Sequence, residues 1–426
     1  MIRRTLIALS LVTLLAGSSP AQARDLYEST DGEYRLTLRS ALKGSWLLSW
    51  PADDPLLEES VAGAAFFRLR FELNATLTHH FTAQVAYEHR ARASSGTGIG
   101  AGLLPPNALA PFRLAALDWA IVDEEPGYAH RHELDRAYVS LHLDFLELTV
   151  GRQAIGLGRG VLFSAIDLFA PFSPTEVDRE WRRGVDAVHA ELRIPDLSGI
   201  SADIIAAFGD VTSGDLASWA LVGRIRAVVG DVDGEVILGR RGEDNVVGGA
   251  LSATVGDAEV HAELAMFGTD GQGIDGGFLG TRAVVAKGLL GGSYQLPIHR
   301  GVRVVLEYHY SGFGVDDVGA SPAILGDPAF QARFLRGDSQ LLGRHAIALV
   351  LSAELYDDLS GAVSYFQSPA DGSGAVAPSF TWNVSESVTL VLNALVPWGA
   401  ATEGGVPRSE WGGSPTTLFL QARLYD

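Results

Sequence analysis

The chain has 426 residues, is 47 % hydrophobic, contains no cysteine and carries a formal charge of −19. So acidic a chain repels polyanions, which excludes nucleic acid as a partner. Beyond the N-terminus no segment approaches the roughly 18 consecutive apolar positions of a membrane-spanning helix, which excludes a helical membrane protein.

The first residues read as a secretory signal. Arg3 and Arg4 form a basic start, Leu6 to Ala16 an apolar run too short to span a bilayer, and Ala21-Gln22-Ala23 a small-x-small cleavage site. Cleavage after Ala23 leaves 30 basic against 51 acidic residues, a net charge of −21. The chain therefore divides into a signal peptide, 1–23, and one domain, 24–426.

That domain alternates. Across Ala65 to Leu77, one face reads Phe67, Leu69, Phe71, Leu73, Ala75 and the other Arg68, Arg70, Glu72, Asn74, Thr76. Side chains on a strand alternate faces, so the segment is apolar on one side and polar on the other. The pattern returns in Phe81 to Arg90, Arg136 to Leu143, Val188 to Ile194 and Leu418 to Tyr425. Eighteen strands are predicted, starting near Tyr34, Ala65, Phe81, Glu133, Leu146, Val185, Ile200, Ser218, Asp233, Asn245, Ala258, Thr281, Val302, Arg344, Leu359, Val376, Ser387 and Thr416. Sixteen remain if Ile200 and Val376 do not begin strands.

Strands of about ten residues suit a tilted bilayer crossing. Connections after even-numbered strands are short, as at His79-His80 and Gly256-Asp257. Those after odd-numbered strands are mostly long, as over Ile155 to Gly184 and Gly312 to Gly343. Short turns on one rim and long loops on the other define an outer-membrane barrel with both termini in the periplasm. The fold class is thus all-β, a closed transmembrane antiparallel β-barrel, because lipid leaves no partner for an open sheet edge. Trp46, Trp50, Trp219, Trp382, Trp398 and Trp411 lie near strand ends, where indoles suit the membrane interfaces. No plug domain precedes the first strand.

The polar face points to a water-filled lumen. Arg68, Arg70, Arg136 and Arg193, with neighbours such as Arg90, Arg224, Arg226, Arg303 and Arg423, alternate with Glu72, Glu88, Glu147, Glu191, Glu263 and Glu307. Two readings stand: the arginines guide anionic solutes, or they pair with the acids across strands and stiffen the wall. Asp167 to Asp186 is dense in charge, proline and aromatics, and Pro171, Pro174, Phe172 and Trp181 can hold it in shape. Folded into the barrel, it would place Asp178, Arg179, Glu180, Arg182 and Asp186 at a constriction.

Gly151-Arg152-Gln153, followed by this loop and by Arg182-Arg183-Gly184-Val185-Asp186-Ala187-Val188, resembles the alginate-export-type porins of Gram-negative outer membranes. The match covers about 40 residues. It implies an eighteen-strand barrel with an Arg-lined passage for an acidic polysaccharide, in which Arg152 and Arg183 are pore or constriction residues.

Other signals are weak. Gly337-Asp338-Ser339 has an esterase-like order but no partnered His. Gly156-Leu157-Gly158 and Gly96 to Gly102 lack the βαβ setting of a phosphate loop. Asp270 to Gly277 reads as a flexible loop more than a Ca²⁺ site, and His79-His80 as a turn rather than a metal site. No cofactor, metal or catalytic residue is expected. The expected function is passage of hydrophilic solutes, anionic ones included, or polysaccharide through the outer membrane, with membrane lipid around the barrel. Alternatives are a sheath enclosing a periplasmic electron carrier and, further off, an outer-membrane hydrolase.

Overall fold

A computed structural model describes residues 24–50, 61–95, 112–125, 127–193, 199–209, 219–269, 284–298 and 300–426. The leader, Gly96 to Gly102 and Asp270 to Gly277 lie outside the described residues. The two-faced segments form strands: β1 (Arg24–Glu28), β2 (Arg35–Trp50), β3 (Ala62–Thr78), β4 (Phe81–Ser94), β5 (Asp118–Glu125), β6 (Tyr128–His142), β7 (Leu146–Gln153), β8 (Val185–Arg193), β9 (Ile200–Phe208) and β10 (Trp219–Val229). There follow β11 (Val232–Arg241), β12 (Asp244–Val255), β13 (Ala258–Gly268), β14 (Val284–Leu296), β15 (Val302–Ser311), helices α1 (Pro322–Leu325) and α2 (Pro328–Arg336), then β16 (His345–Glu354), β17 (Leu359–Gln367), β18 (Gly374–Ser385), β19 (Val388–Trp398) and β20 (Thr416–Tyr425).

Eighteen of the strands, all but β1 and β5, pair antiparallel with their neighbours, and β2 pairs with β20 through Trp46↔Leu420 to close the ring. All eighteen predicted strands are present, including those at Ile200 and Val376. The two extra strands are short additions. β1 continues the β2 edge past the end of β20, at Arg24↔Leu38. β5 lies beside the outer half of β6, where β7 has already ended.

Closure leaves no unpaired edge around the ring, as lipid requires. Leu221, Ile225, Val236, Leu238, Leu251, Leu264, Leu290 and Leu306 are exposed on the outer face, a band of apolar side chains suited only to lipid. Trp46, Trp50, Trp382 and Trp398 are exposed at strand ends, as interfacial indoles should be. Trp411 differs: it is buried and packs on Phe366 at 5.4 Å, as part of an inward-folded loop. Gly230 and Gly256 take φ of +58° and +63° in the periplasmic turns, a backbone that other residues rarely adopt.

Candidate functional site: a strap across the lumen

The inward face of β3, β4 and β6 carries charge, and the charges are spent on one another. Glu88 is fully buried and accepts from Arg68 Nε at 2.9 Å, Arg90 Nε at 2.9 Å and Arg70 Nη1. Asp135 accepts from Arg70 Nη1 at 2.8 Å and Arg136 Nη1 at 2.7 Å. It can do so because the β4–β6 register skips a residue there: Ala86 faces Arg136 and Tyr87 faces Leu134, leaving Asp135 as a bulge. Of the two readings of the arginines, cross-strand pairing describes this wall.

The segment between β7 and β8, residues 154–184, runs into the lumen as a strap. Its irregular backbone has no strand partner, so its N–H groups need acceptors, and carboxylates of the far wall supply them. On β11, Glu235 accepts from Gly158 N at 3.1 Å and Asp233 from Arg159 Nη2 at 2.9 Å. On β13, Glu263 accepts from the backbone N–H of Gly160 at 2.7 Å and Ala165 at 2.6 Å, and from Ser164 Oγ at 3.0 Å. On β15, Glu307 accepts from the backbone N–H of Leu162 at 2.9 Å and Phe163 at 3.1 Å, and also of Val161. Gly158, at φ +94°, passes so close to Glu263 that an added Cβ would lie 2.5 Å from its Oε1.

The strap then returns to the opposite side. Lys43 of β2 bonds Asp178 at 2.7 Å and Glu180 at 2.7 Å, and Tyr425 of β20 donates to Glu180 at 2.6 Å. The Trp181 ring has Lys43 Nζ 3.7 Å from its centroid and the guanidinium carbons of Arg68 and Arg70 at 4.7 and 5.0 Å. Burial would push the Asp178 carboxyl up, but Lys43 beside it, with Arg68, holds it below its ordinary value. Burial pushes Asp167 and Glu176 up, against Arg182 and the Ser173 N–H respectively, and pushes Arg179 and Arg183 down.

Two more loops brace the strap. The β15–β16 connection carries α1 and α2, and beyond α2 Asp338 gathers Arg241, Arg333 and Arg336, while Asp244 binds Arg333 at 2.8 Å and Arg336 at 2.6 Å. Gln340 joins this loop to the strap, donating to Phe172 O at 2.9 Å and accepting from Ser164 N at 3.0 Å. From the β19–β20 loop, Glu410 accepts the N–H of Leu342 at 3.0 Å and of Gly343 at 2.6 Å. Burial raises its pKa to about 7, offset only in part by those N–H groups. A carboxyl raised in the fold stabilises it fully below the unfolded value, and that contribution is lost as pH rises through the folded one. Relative to Glu410→Gln, the wild type should therefore lose thermal stability as pH rises through about 7.

On the periplasmic side of the strap is a cavity of about 580 Å³, whose lining includes Arg35, Arg39, Arg70, Glu72, Trp181 and Asp426. Of its acids, Asp25 pairs with Arg35 at 2.9 Å, Glu72 with Arg70 at 3.5 Å and Glu180 with Lys43 at 2.7 Å, while Asp426 forms no ion pair among the described residues. Arg39 is exposed to the cavity and makes no ion pair among the described residues.

The predicted residues divide accordingly. Arg68, Arg70 and Arg136 stand on the inner wall and Asp178, Arg179, Glu180, Arg182 and Arg183 on the strap, and Arg70 and Glu180 line the cavity together. Arg179 and Arg182 hold the strap's own shape: Arg179 donates to Val161 O at 2.7 Å and Arg182 binds Asp167. Arg152 and Asp186 stand on the wall strands. They oppose each other on β7 and β8 and pair at 2.7 Å, and Arg152, 1 % exposed, also donates to Leu134 O at 2.9 Å. Arg193 is exposed at the periplasmic end of β8, with Glu147 at 2.8 Å. Sequence reasoning missed Lys43 and Asp135, and neither of its two readings made Glu263 and Glu307 acceptors of loop backbone. Ser339 is buried and donates to Leu341 O, and Asp338 is held by arginines, so the esterase-like order is a loop anchor.

No family model matches the chain, and neither does any curated protein. Solved structures do match over nearly the full length. OccK9 (OpdG) of Pseudomonas aeruginosa gives a TM-score of 0.58 at 11 % identity, over 92 % of this chain and 98 % of that one. A BenF-like porin from Pseudomonas fluorescens Pf-5 gives 0.56 at 10 % identity, over 92 % and 98 %. OpdK of Pseudomonas aeruginosa, solved with vanillate, gives 0.50 at 14 % identity, over 91 % and 99 %. The alginate-export-type resemblance is not supported by these matches. Its physical basis is local, since Arg152 and Asp186 form a buried wall pair. What the chain shares with the matching structures is a fold, the closed eighteen-strand barrel of Gram-negative outer-membrane porins.

Proposed function

We propose that the protein is an outer-membrane channel for small hydrophilic solutes, that the strap over 154–184 sets its aperture, and that anions are preferred. The leader ending at Ala23 fits export of such a barrel. The observation that carries the reading is the strap's anchorage to Glu263 and Glu307 on one wall and to Lys43 on the other, since a segment held on both sides of the lumen would narrow it. Selectivity in such a passage follows its width and its uncompensated charge. Among the described residues, Arg39 is a cation lining the periplasmic cavity that forms no ion pair, and a carboxylate-bearing solute would supply one. Vanillate, the compound solved with the similarly folded OpdK, is such a solute.

A strapped lumen has little room for an enclosed protein, which weighs against the sheath. The anchored Ser339 weighs against the hydrolase.

Reversal potentials across a planar bilayer under a salt gradient test the anion preference. The wild type should favour chloride over potassium, and Arg39→Glu should reverse the sign. An unchanged potential in Arg39→Glu removes Arg39 from the selectivity mechanism.

A further inference from the structure

The chain contains two lysines, Lys43 and Lys287, and both are buried on the inner face of the barrel. They differ in their partners. Lys43 has the carboxylates of Asp178 and Glu180 at 2.7 Å each. Lys287, on β14, is 2 % exposed and forms no ion pair among the described residues. Asp338, Glu263 and Asp167 attract its charge without reaching ion-pair distance. Those three carboxylates are already occupied by arginines or by strap N–H groups.

The surroundings of Lys287 are rich in groups without partners. Ser311 stands directly opposite it on β15, and His309 is the next inward position on that strand. Ser311 is fully buried and its Oγ has no hydrogen-bond partner. His309 is 1 % exposed and neither ring nitrogen has one. From the strap, Phe163 stacks on the His309 ring at 5.0 Å and 13°.

An isolated buried ammonium is costly, on the order of several kcal/mol, unless an opposite charge or strong acceptors accompany it. Here an ammonium, a hydroxyl and an imidazole N–H share one face of two paired strands, where neighbouring Cβ atoms lie about 5 to 7 Å apart. All three can donate, so one small acceptor placed between them would serve all three.

We propose that Lys287, Ser311 and His309 bind a small monovalent anion, a halide such as chloride, beneath the strap. It acts as the counter-ion that Lys287 lacks.

Crystals grown in sodium bromide test this without reference to permeation. An anomalous bromide peak within hydrogen-bonding distance of Lys287 Nζ and Ser311 Oγ is expected, absent in Lys287→Met and weakened in Ser311→Ala. If Lys287→Met does not fold, Ser311→Ala carries the comparison. In solution, replacing gluconate by chloride at equal ionic strength should raise the melting temperature of the wild type by about 1–3 °C. That rise should vanish in Lys287→Met. A wild-type crystal with only water at this position, or a chloride effect of equal size in wild type and Lys287→Met, overturns the proposal.

Discussion

Replacing Glu263 and Glu307 together by alanine raises the unitary conductance of the reconstituted barrel severalfold and makes it fluctuate. The two carboxylates accept the N–H groups of Gly160, Val161, Leu162, Phe163 and Ala165. A buried donor left without an acceptor, as at Phe163 and Ala165, costs about 1–3 kcal/mol, and the part-buried ones at Gly160, Val161 and Leu162 cost less. Losing all five acceptors together frees the strap from the far wall. The barrel itself survives, because its ladder hydrogen bonds do not pass through these side chains. Heat-modifiable migration on gels should therefore remain that of a folded barrel. A folded double variant with wild-type conductance would show that the strap does not narrow the passage.

Asp338→Asn should release the β15–β16 loop. Asp338 is fully buried among Arg241, Arg333 and Arg336, and Asp244 alone cannot neutralise the last two. Removing one side of a buried ion network costs about 3–5 kcal/mol, because the opposite charges stay behind. The expected result is faster proteolysis within 312–344 and a lower melting temperature. The pH dependence follows from the same groups. Burial alone would raise the Asp338 carboxyl, but Arg336 and Arg241 hold it well below the usual carboxylate range. A depressed carboxyl contributes its stability above the unfolded value, near pH 4, and loses it only as pH falls through the folded one. The Asp338 latch thus persists into strong acid, while the Glu410 contact weakens toward alkaline pH. Equal proteolysis of Asp338→Asn and wild type would contradict the latch.

How much of this could be read from the chain follows from what kind of signal each part leaves. Alternation is local and repeated, so all eighteen barrel strands were legible, down to the weakly patterned segments at Ile200 and Val376. β1 and β5 were not, because short edge additions such as Arg24–Glu28 bury no face and need no pattern. The strap was visible as a charged, proline-bearing stretch between two strong strands. Its anchors were not, since nothing in the sequence distinguishes a glutamate that meets an arginine across a strand from one that caps loop amides 100 residues away. Asp135 escaped because a bulge shifts the alternation by one residue. The motif around Arg152, carried over whole, implied a passage role and gave no local sign of the buried pairing with Asp186 that the structure shows.

The central claim is that residues 154–184 cross and narrow an otherwise open barrel. Deleting 157–181 and joining the ends with a short Gly-Ser linker isolates that claim, since β7 and β8 keep their pairing. Single-channel recording in planar bilayers should then give small, steady openings for the wild type and large openings with weaker ion selectivity for the deletion. Identical conductance from two folded, inserted proteins would contradict it.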